Sequence, residues 1–228
     1  MKYTHFLLDA DETVFDFVSA ARKSFKYTLE QFSLPFTEEK FLRFKAINDD
    51  LWREYERGAV SKAQLRVMRF ERFFAETGIC GDAEKVDGMY FDTLCNAGDL
   101  LNGAKQFLKE LKERGKVYMI TNGTTAAQKG RIRASGIGEF LDGVFISDEL
   151  GVAKPEKAFF EAVLKSIGIS GKNCVVIGDS LTSDISGANN AGLDCIWFNP
   201  QGKKAEGKAF PDHIAYTYKE IIDIIDCF

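Results

Sequence analysis

The chain has only four prolines and two histidines in 228 residues, and its five cysteines (Cys80, Cys95, Cys174, Cys195 and Cys227) are odd in number and form no C-x-x-C pair. That spacing excludes an even disulfide framework of the secreted kind and leads us to expect reduced thiols in a cytoplasmic protein. Neither His5 nor His213 has a second soft ligand at metal-site spacing, which argues against a zinc centre. No run approaches the roughly 18 apolar residues of a membrane helix. The apolar stretch Phe6-Leu7-Leu8 meets a carboxylate before it reaches the length of a signal-peptide core. With a net charge of −4 and both signs interspersed, the chain has no basic stripe to hold a nucleic acid polymer, and the basic stretch 202–208 reads as a solvated loop. Neither a G-x-S-x-G nucleophile turn nor a phosphate-loop lysine motif is present.

What is there is the balance of an ordinary globular protein, 45% hydrophobic and 28% charged. The length suits a core domain with a sizeable insertion. A short apolar strand, Tyr3 to Leu8, is followed by about eighty residues without a convincing strand. Those residues carry Phe-rich amphipathic stretches, with Thr37 and Ser61 placed as N-caps, Gln64 completing a capping box, and Gly58 and Gly78 as punctuation. From Gly103 onward helices and strands alternate. Helices are expected at 104–114, 125–135, 156–167 and 183–191, and strands at 117–121, 144–146, 174–177 and 195–198. The fold class is therefore α/β, a Rossmann-like parallel sheet with a helical insertion after the first strand. The expected division is a core of residues 1–14 and 99–228 and a helical cap of residues 15–98.

The reactive side chains fall at strand ends, where open α/β sheets bind their ligands. Asp9 and Asp11 stand two apart in an extended segment and so face the same way. Two like charges at one site call for a cation, and Mg²⁺ accepts carboxylate oxygens together with those of a phosphate. Gly178-Asp179-Ser180-Leu181-Thr182-Ser183-Asp184 follows another apolar strand and offers two further carboxylates, although taken alone Asp179 and Asp184 read as caps of the next helix. Thr121-Asn122-Gly123 supplies a hydroxyl, an amide and backbone N–H groups suited to phosphate oxygens. Lys154, before Pro155, would neutralise a transferring phosphoryl group if it reached the site. Phe15, Phe17 and Trp52 are candidates to stack on a base, and Arg69 to meet a polar substrate edge.

The order D-x-D-x-T, T-N, K-P, G-D-x-x-x-x-D resembles the haloacid dehalogenase-like hydrolase superfamily over essentially the entire chain, with the insertion where that superfamily carries its cap. The resemblance implies Asp9 as nucleophile and Asp11 as general acid and base, with Thr121 and Lys154 on the phosphoryl oxygens. It also implies Mg²⁺ held by Asp9, the backbone carbonyl of Asp11 and Asp179, with Asp184 in the metal site behind them orienting water or Lys154. Dehalogenase members carry an aromatic residue at the position of Asp11, so Asp11 points to phosphatase chemistry, while Glu12 replaces the glycine commonest after the second aspartate. The stretch Asp9 to Phe15, with Asn48-Asp49-Asp50-Leu51-Trp52-Arg53-Glu54-Tyr55 and Arg69-Phe70-Glu71, is similar to the pyrimidine nucleoside 5′-monophosphatase branch. That similarity implies a small phosphorylated partner, a nucleotide, with Asn122, Phe15, Asn48, Trp52 and Arg69 as substrate-binding residues. A sugar-phosphate phosphatase or phosphomutase on the same core, and a regulatory module phosphorylated on Asp9, are the alternatives. Oligomeric state is open.

Overall fold

The computed structural model describes residues 2–205 and 207–227; Met1, Glu206 and Phe228 lie outside the described residues. Strands β1 (His5–Asp9), β2 (Lys116–Thr121), β3 (Gly143–Ile146), β4 (Cys174–Gly178), β5 (Asp194–Phe198) and β6 (His213–Ala215) form one sheet. Its order is β3-β2-β1-β4-β5-β6, and every neighbouring pair is parallel. This is the doubly wound order, with the switch point between β1 and β4.

Period-two alternation along the strands fills two cores. Phe6, Leu8, Val117, Met119, Val175, Ile177, Ile196 and Phe198 face one layer, built with α5 (Ala104–Arg114) and α10 (Tyr218–Cys227). Leu7, Ile120, Val176, Cys195 and Trp197 face the other, built with α8 (Lys157–Ile167) and α9 (Ser186–Ala191). A sheet buried on both faces needs apolar residues at nearly every position, which is why the strands read as continuous apolar runs. Helices α6 (Thr125–Ser135) and the short α7 (Ser147–Leu150) complete the crossovers.

Between β1 and α5 stand four helices, α1 (Phe17–Gln31), α2 (Glu38–Glu56), α3 (Lys62–Thr77) and α4 (Ala83–Cys95). They bury their own cluster, in which Phe25, Phe41, Phe70 and Phe73 are fully buried and the Phe25 and Phe44 rings stack at 4.4 Å. At roughly 1.5–3 kcal/mol per buried large apolar side chain, this phenylalanine core stabilises the insertion from within. Thr37 and Ser61 cap α2 and α3 as their sequence predicts, with the Ser61–Gln64 box closed in both directions. The segments entering and leaving the insertion are bonded to each other: Asp16 N–H donates to Asp99 O at 3.0 Å and Leu101 N–H to Val14 O at 3.0 Å. Helix α4 lies so near α6 that a Cβ on Gly130 would stand 2.1 Å from Cys95 O.

Several details differ from the sequence expectation. Strand β6 and helix α10 were not anticipated, because three residues are too few for a periodic pattern and α10 follows a loop with no strong start signal. Helix α8 begins at Lys157, with Glu156 as its N-cap residue. The helix expected over 183–191 opens as a π turn, Leu181–Ile185, before α9. The cap of that turn is Ser180, whose Oγ accepts from Ser183 N–H, so Asp179 and Asp184 are not consumed in capping. Residues 202–205, 207 and 208 of the basic stretch are exposed. The five cysteines are unpaired, and among the described residues no helix is long and apolar enough to cross a membrane.

Candidate active site

Parallel pairing brings the carboxyl ends of β1, β2 and β4 side by side, and with them Asp9, Thr121 and the loop after Gly178. Lys154 Nζ is buried at their centre. It donates to Asp9 Oδ1 at 2.6 Å, to Asp184 Oδ1 at 2.7 Å and to Ile120 O at 3.2 Å. Burial alone would lower the Lys154 ammonium, but Asp184 and Asp9 more than offset it and hold the group charged. One cation is insufficient for the anions present. Burial, reinforced by the charge of Asp184, pushes the Asp9 carboxyl up to about 7 against the pull of Lys154. Half-buried Asp179 is likewise raised, by burial and then by the charges of Asp9 and Asp184.

Carboxylate oxygens of Asp9, Asp179 and Asp184 lie within 4.8 Å of one another. Among the described residues the Asp179 carboxylate accepts no hydrogen bond, while its backbone carbonyl takes the Trp197 indole N–H at 2.8 Å. Three clustered hard oxygen donors, one of them without a proton donor, and a single lysine to balance them make a set that fits a divalent oxygen-seeking cation such as Mg²⁺. Asp184 is placed from beneath. Its Oδ2 accepts from Ser180 N–H at 3.1 Å, and it lies so close to Gly178 that a Cβ there would stand 2.3 Å from that oxygen.

Thr121 Oγ1 accepts from Gly123 N–H at 3.0 Å and from Gln128 Nε2 at 3.1 Å, which leaves its own proton to donate. The loop after β1 is folded by Val14 and Phe15 N–H groups donating to Ala10 O at 2.9 and 2.8 Å. Within it Glu12 adopts a left-handed φ of 58°, the conformation that favours glycine. Its carboxylate accepts the Val18 N–H at 3.0 Å at the start of α1, a contact glycine could not make.

Asp11, about one-third exposed, faces a cleft between the insertion and the sheet. A cavity of about 50 Å³ lies within the cleft. Phe17, Trp52, Lys62, Arg66, Arg69 and Phe91 line it from the insertion, and Gly123, Thr124, Gln128 and Arg131 from the core. Trp52 and Arg69 are thus at the cleft.

Three residues expected to bind substrate are placed away from the cleft lining. Phe15 is fully buried in the sheet core with the Arg131 guanidinium 4.3 Å over its ring, so it has no free face for a base; Phe17 is the phenylalanine of this segment that lines the cleft. Asn48 is buried within the insertion, where its side-chain oxygen accepts from Arg69 Nη1 at 3.5 Å. Asn122 has its amide turned to the lysine loop, Nδ2 donating to Lys154 O at 2.8 Å and Oδ1 accepting Lys154 N–H at 2.9 Å, so that it fixes the lysine.

Two residues at the centre of the site escaped the sequence reading, Gln128 and Arg131. Both are buried on α6 and both bond to Asp11, Gln128 Nε2 at 2.8 Å and Arg131 through Nη1. Their spacing of three on a helix that begins just after Thr121-Asn122-Gly123 was the available clue.

Residues 3–192 match the family model described as haloacid dehalogenase-like hydrolase. The chain is 35% identical over 228 residues to the pyrimidine 5′-nucleotidase PynA of Streptococcus pneumoniae, covering 99% of this chain and 96% of that protein. It is 33% identical to the pyrimidine 5′-nucleotidase YjjG of Escherichia coli, covering 96% and 93%. The crystal structure of the HAD-hydrolase YfnB of Bacillus subtilis, bound to magnesium and revealing interdomain movement, superposes with a TM-score of 0.94 at 31% identity, over 99% of this chain and 100% of that one. The chain, with its doubly wound sheet and its carboxylates gathered at the switch point, belongs to the haloacid dehalogenase-like hydrolase family.

Proposed function

We propose that the protein is a Mg²⁺-dependent phosphomonoester hydrolase that works through an aspartyl-phosphate on Asp9 and takes nucleoside 5′-monophosphates, pyrimidine ones preferentially. The observation that carries the reading is the buried lysine bridging two of three clustered carboxylates, 2.6 Å from Asp9 and 2.7 Å from Asp184, beside a cleft that Asp11 faces.

Asp9, Asp179, the carbonyl of Asp11 and, from behind, Asp184 would hold Mg²⁺, which supplies charge neutralisation for the phosphoryl group. Lys154 orients Asp9 and adds a fixed positive charge next to the nucleophilic oxygen. In the first step an Asp9 oxygen bonds to phosphorus while the ester P–O bond breaks, and Asp11 gives its proton to the leaving oxygen. In the second, Asp11 takes a proton from water as that water's oxygen bonds to phosphorus; phosphate departs and the Asp9 carboxylate is restored. Thr121 donates its free proton to a phosphoryl oxygen. Residues 15–98 act as the cap, closing the cleft over the leaving group.

The cations of the cleft support a neutral leaving group over a second phosphate. Lys62 is paired with Asp148, Arg66 and Arg69 with Asp87, and Arg131 with Asp11. The names of the two nucleotidases 33% and 35% identical to this chain support a pyrimidine nucleotide in particular. Phosphate release from a panel of nucleoside 5′-monophosphates and sugar phosphates tests this. Mg²⁺-dependent turnover, abolished by chelation and reduced at least about a thousandfold in Asp9→Asn, is expected. Unchanged turnover in that variant, or a phosphorylated Asp9 that never turns over, would exclude the hydrolase reading.

A further inference from the structure

Gln128 and Arg131 each use one edge of a rigid planar group and leave the other without a partner. Gln128 Nε2 donates to Asp11 Oδ2 at 2.8 Å and to Thr121 Oγ1 at 3.1 Å, which commits both its N–H groups and fixes the amide orientation. The opposite atom, Oε1, is buried without a hydrogen-bond partner. Arg131 donates to Asp11 Oδ1 through Nη1 and to Ala97 O through Nε at 3.3 Å, and its Nη2 is likewise buried and unpartnered. Both side chains are 1% exposed, and both line the cleft.

A buried polar atom without a partner is costly, and two of them three residues apart on one helix call for an explanation. Packing around them is not loose. Arg131 lies over the rings of Phe15 and Phe17 at 4.3 and 5.6 Å, and a Cβ on Gly123 would stand 2.2 Å from Gln128 Nε2. Space has been kept for these groups, and their orientation is set.

We infer that Gln128 and Arg131 form a two-sided clamp: one edge holds the Asp11 carboxylate, and the other, Gln128 Oε1 with Arg131 Nη2, binds a hydrogen-bond donor and acceptor on a neutral leaving group. This rests on the hydrolase reading above and adds to it the groups that recognise the leaving group. Because amide and guanidinium are planar, a ligand engaging the far edge stiffens the edge that holds Asp11, so recognition and the placement of the acid are coupled. A donor beside an acceptor occurs both in pentose hydroxyls and in the amide edge of a pyrimidine, and the two sources are separable.

The decisive variant is Arg131→Lys, which keeps a positive charge for Asp11 and deletes the second guanidinium arm. Values of kcat/KM are measured with Mg²⁺ for wild type, Arg131→Lys and Gln128→Leu on uridine 5′-monophosphate, ribose 5-phosphate and p-nitrophenyl phosphate. The aryl ester lacks the donor–acceptor pair and has a leaving oxygen that needs little protonation. For Arg131→Lys we expect the loss on the nucleotide to exceed the loss on the aryl ester by about tenfold or more. Gln128→Leu, which frees Asp11 as well, should lower the nucleotide further and also flatten the pH profile of its turnover. A matching loss on ribose 5-phosphate assigns the contact to the sugar; a loss confined to the nucleotide assigns it to the base. Equal losses on all three substrates, or none on the nucleotide, would overturn the clamp while leaving the phosphatase intact. If wild type released phosphate from ribose 5-phosphate but from no nucleotide, the nucleotide reading would fall, and the sugar arm would still decide the clamp. Inhibition of the wild-type enzyme by uridine, 3-methyluridine and 2′-deoxyuridine, compared under the same conditions, decides it without any variant: identical inhibition by all three counts against the clamp.

Discussion

At the scale of single residues, the site depends on how Asp184 is packed. Its carboxylate lies against Gly178 and beneath Lys154, so a methyl group on Gly178 would force that carboxylate to move. Gly178→Ala should therefore weaken Mg²⁺ affinity by about tenfold to a hundredfold, the usual cost of disturbing a group that orients a metal site. A Mg²⁺ titration of phosphatase activity reads this, and an unchanged half-saturation would show that Asp184 has no part in holding the ion. The sequence makes Asp9, Thr121 and Asp179 legible because each closes or follows an apolar strand, and Lys154 because it stands just before Pro155 at the head of an expected helix. It conceals Gln128 and Arg131, since two polar residues on a helix look like an exposed face until tertiary packing buries them. Phe15 fails for the opposite reason: an aromatic beside an acidic motif looks available, and only the fold shows it facing inward.

At the scale of elements, strand β2, second from the sheet edge, is anchored at its start by Asp142. That carboxylate accepts the Val117 N–H at 2.9 Å and pairs with Lys112 at 2.7 Å and Lys116 at 3.0 Å. Burial works to raise its pKa, but these three donors prevail and lower it to about 2. A carboxyl depressed in the folded state contributes stability that is fully present above its unfolded value of about 3.9 and is lost as the pH falls toward 2. Allowing for solvent screening, Asp142→Asn should cost about 1 kcal/mol at neutral pH. The difference from wild type should shrink between about pH 4 and pH 2 in urea unfolding. A difference constant across that window would mean the carboxylate's charge is irrelevant. The caps at Thr37 and Ser61 were readable from sequence because capping is local chemistry, whereas the π turn over 181–185 was not, because it arises from Asp184 seating against Gly178 and Ser180.

At the scale of the whole molecule, the insertion meets the core where α4 packs on α6 and, across the cleft, through a few polar contacts. Lys62 at the head of α3 reaches Gly123 O at 3.3 Å, Ser147 Oγ at 2.7 Å and Asp148 at 2.5 Å. If these contacts hold the cap down, Lys62→Met and Asp148→Asn should each raise KM for a nucleotide by about threefold to tenfold, and the double variant should add little to either. Fully additive effects would indicate separate roles. Parallel-sheet topology and the place of the insertion follow from the alternation of patterns along the sequence, but the contacts across the cleft join residues 61 to 86 positions apart and have no local signature. The paired linkers have a mechanical consequence. Because Asp16 is bonded to Asp99 and Leu101 to Val14, the two crossings behave as one ribbon, and a ribbon bends readily about a single axis while resisting twist and shear. An insertion so joined would move as a door on a hinge and not as a weight on two strings. Each swing would return the same wall to the same frame, and a substrate would be enclosed with little orientational search.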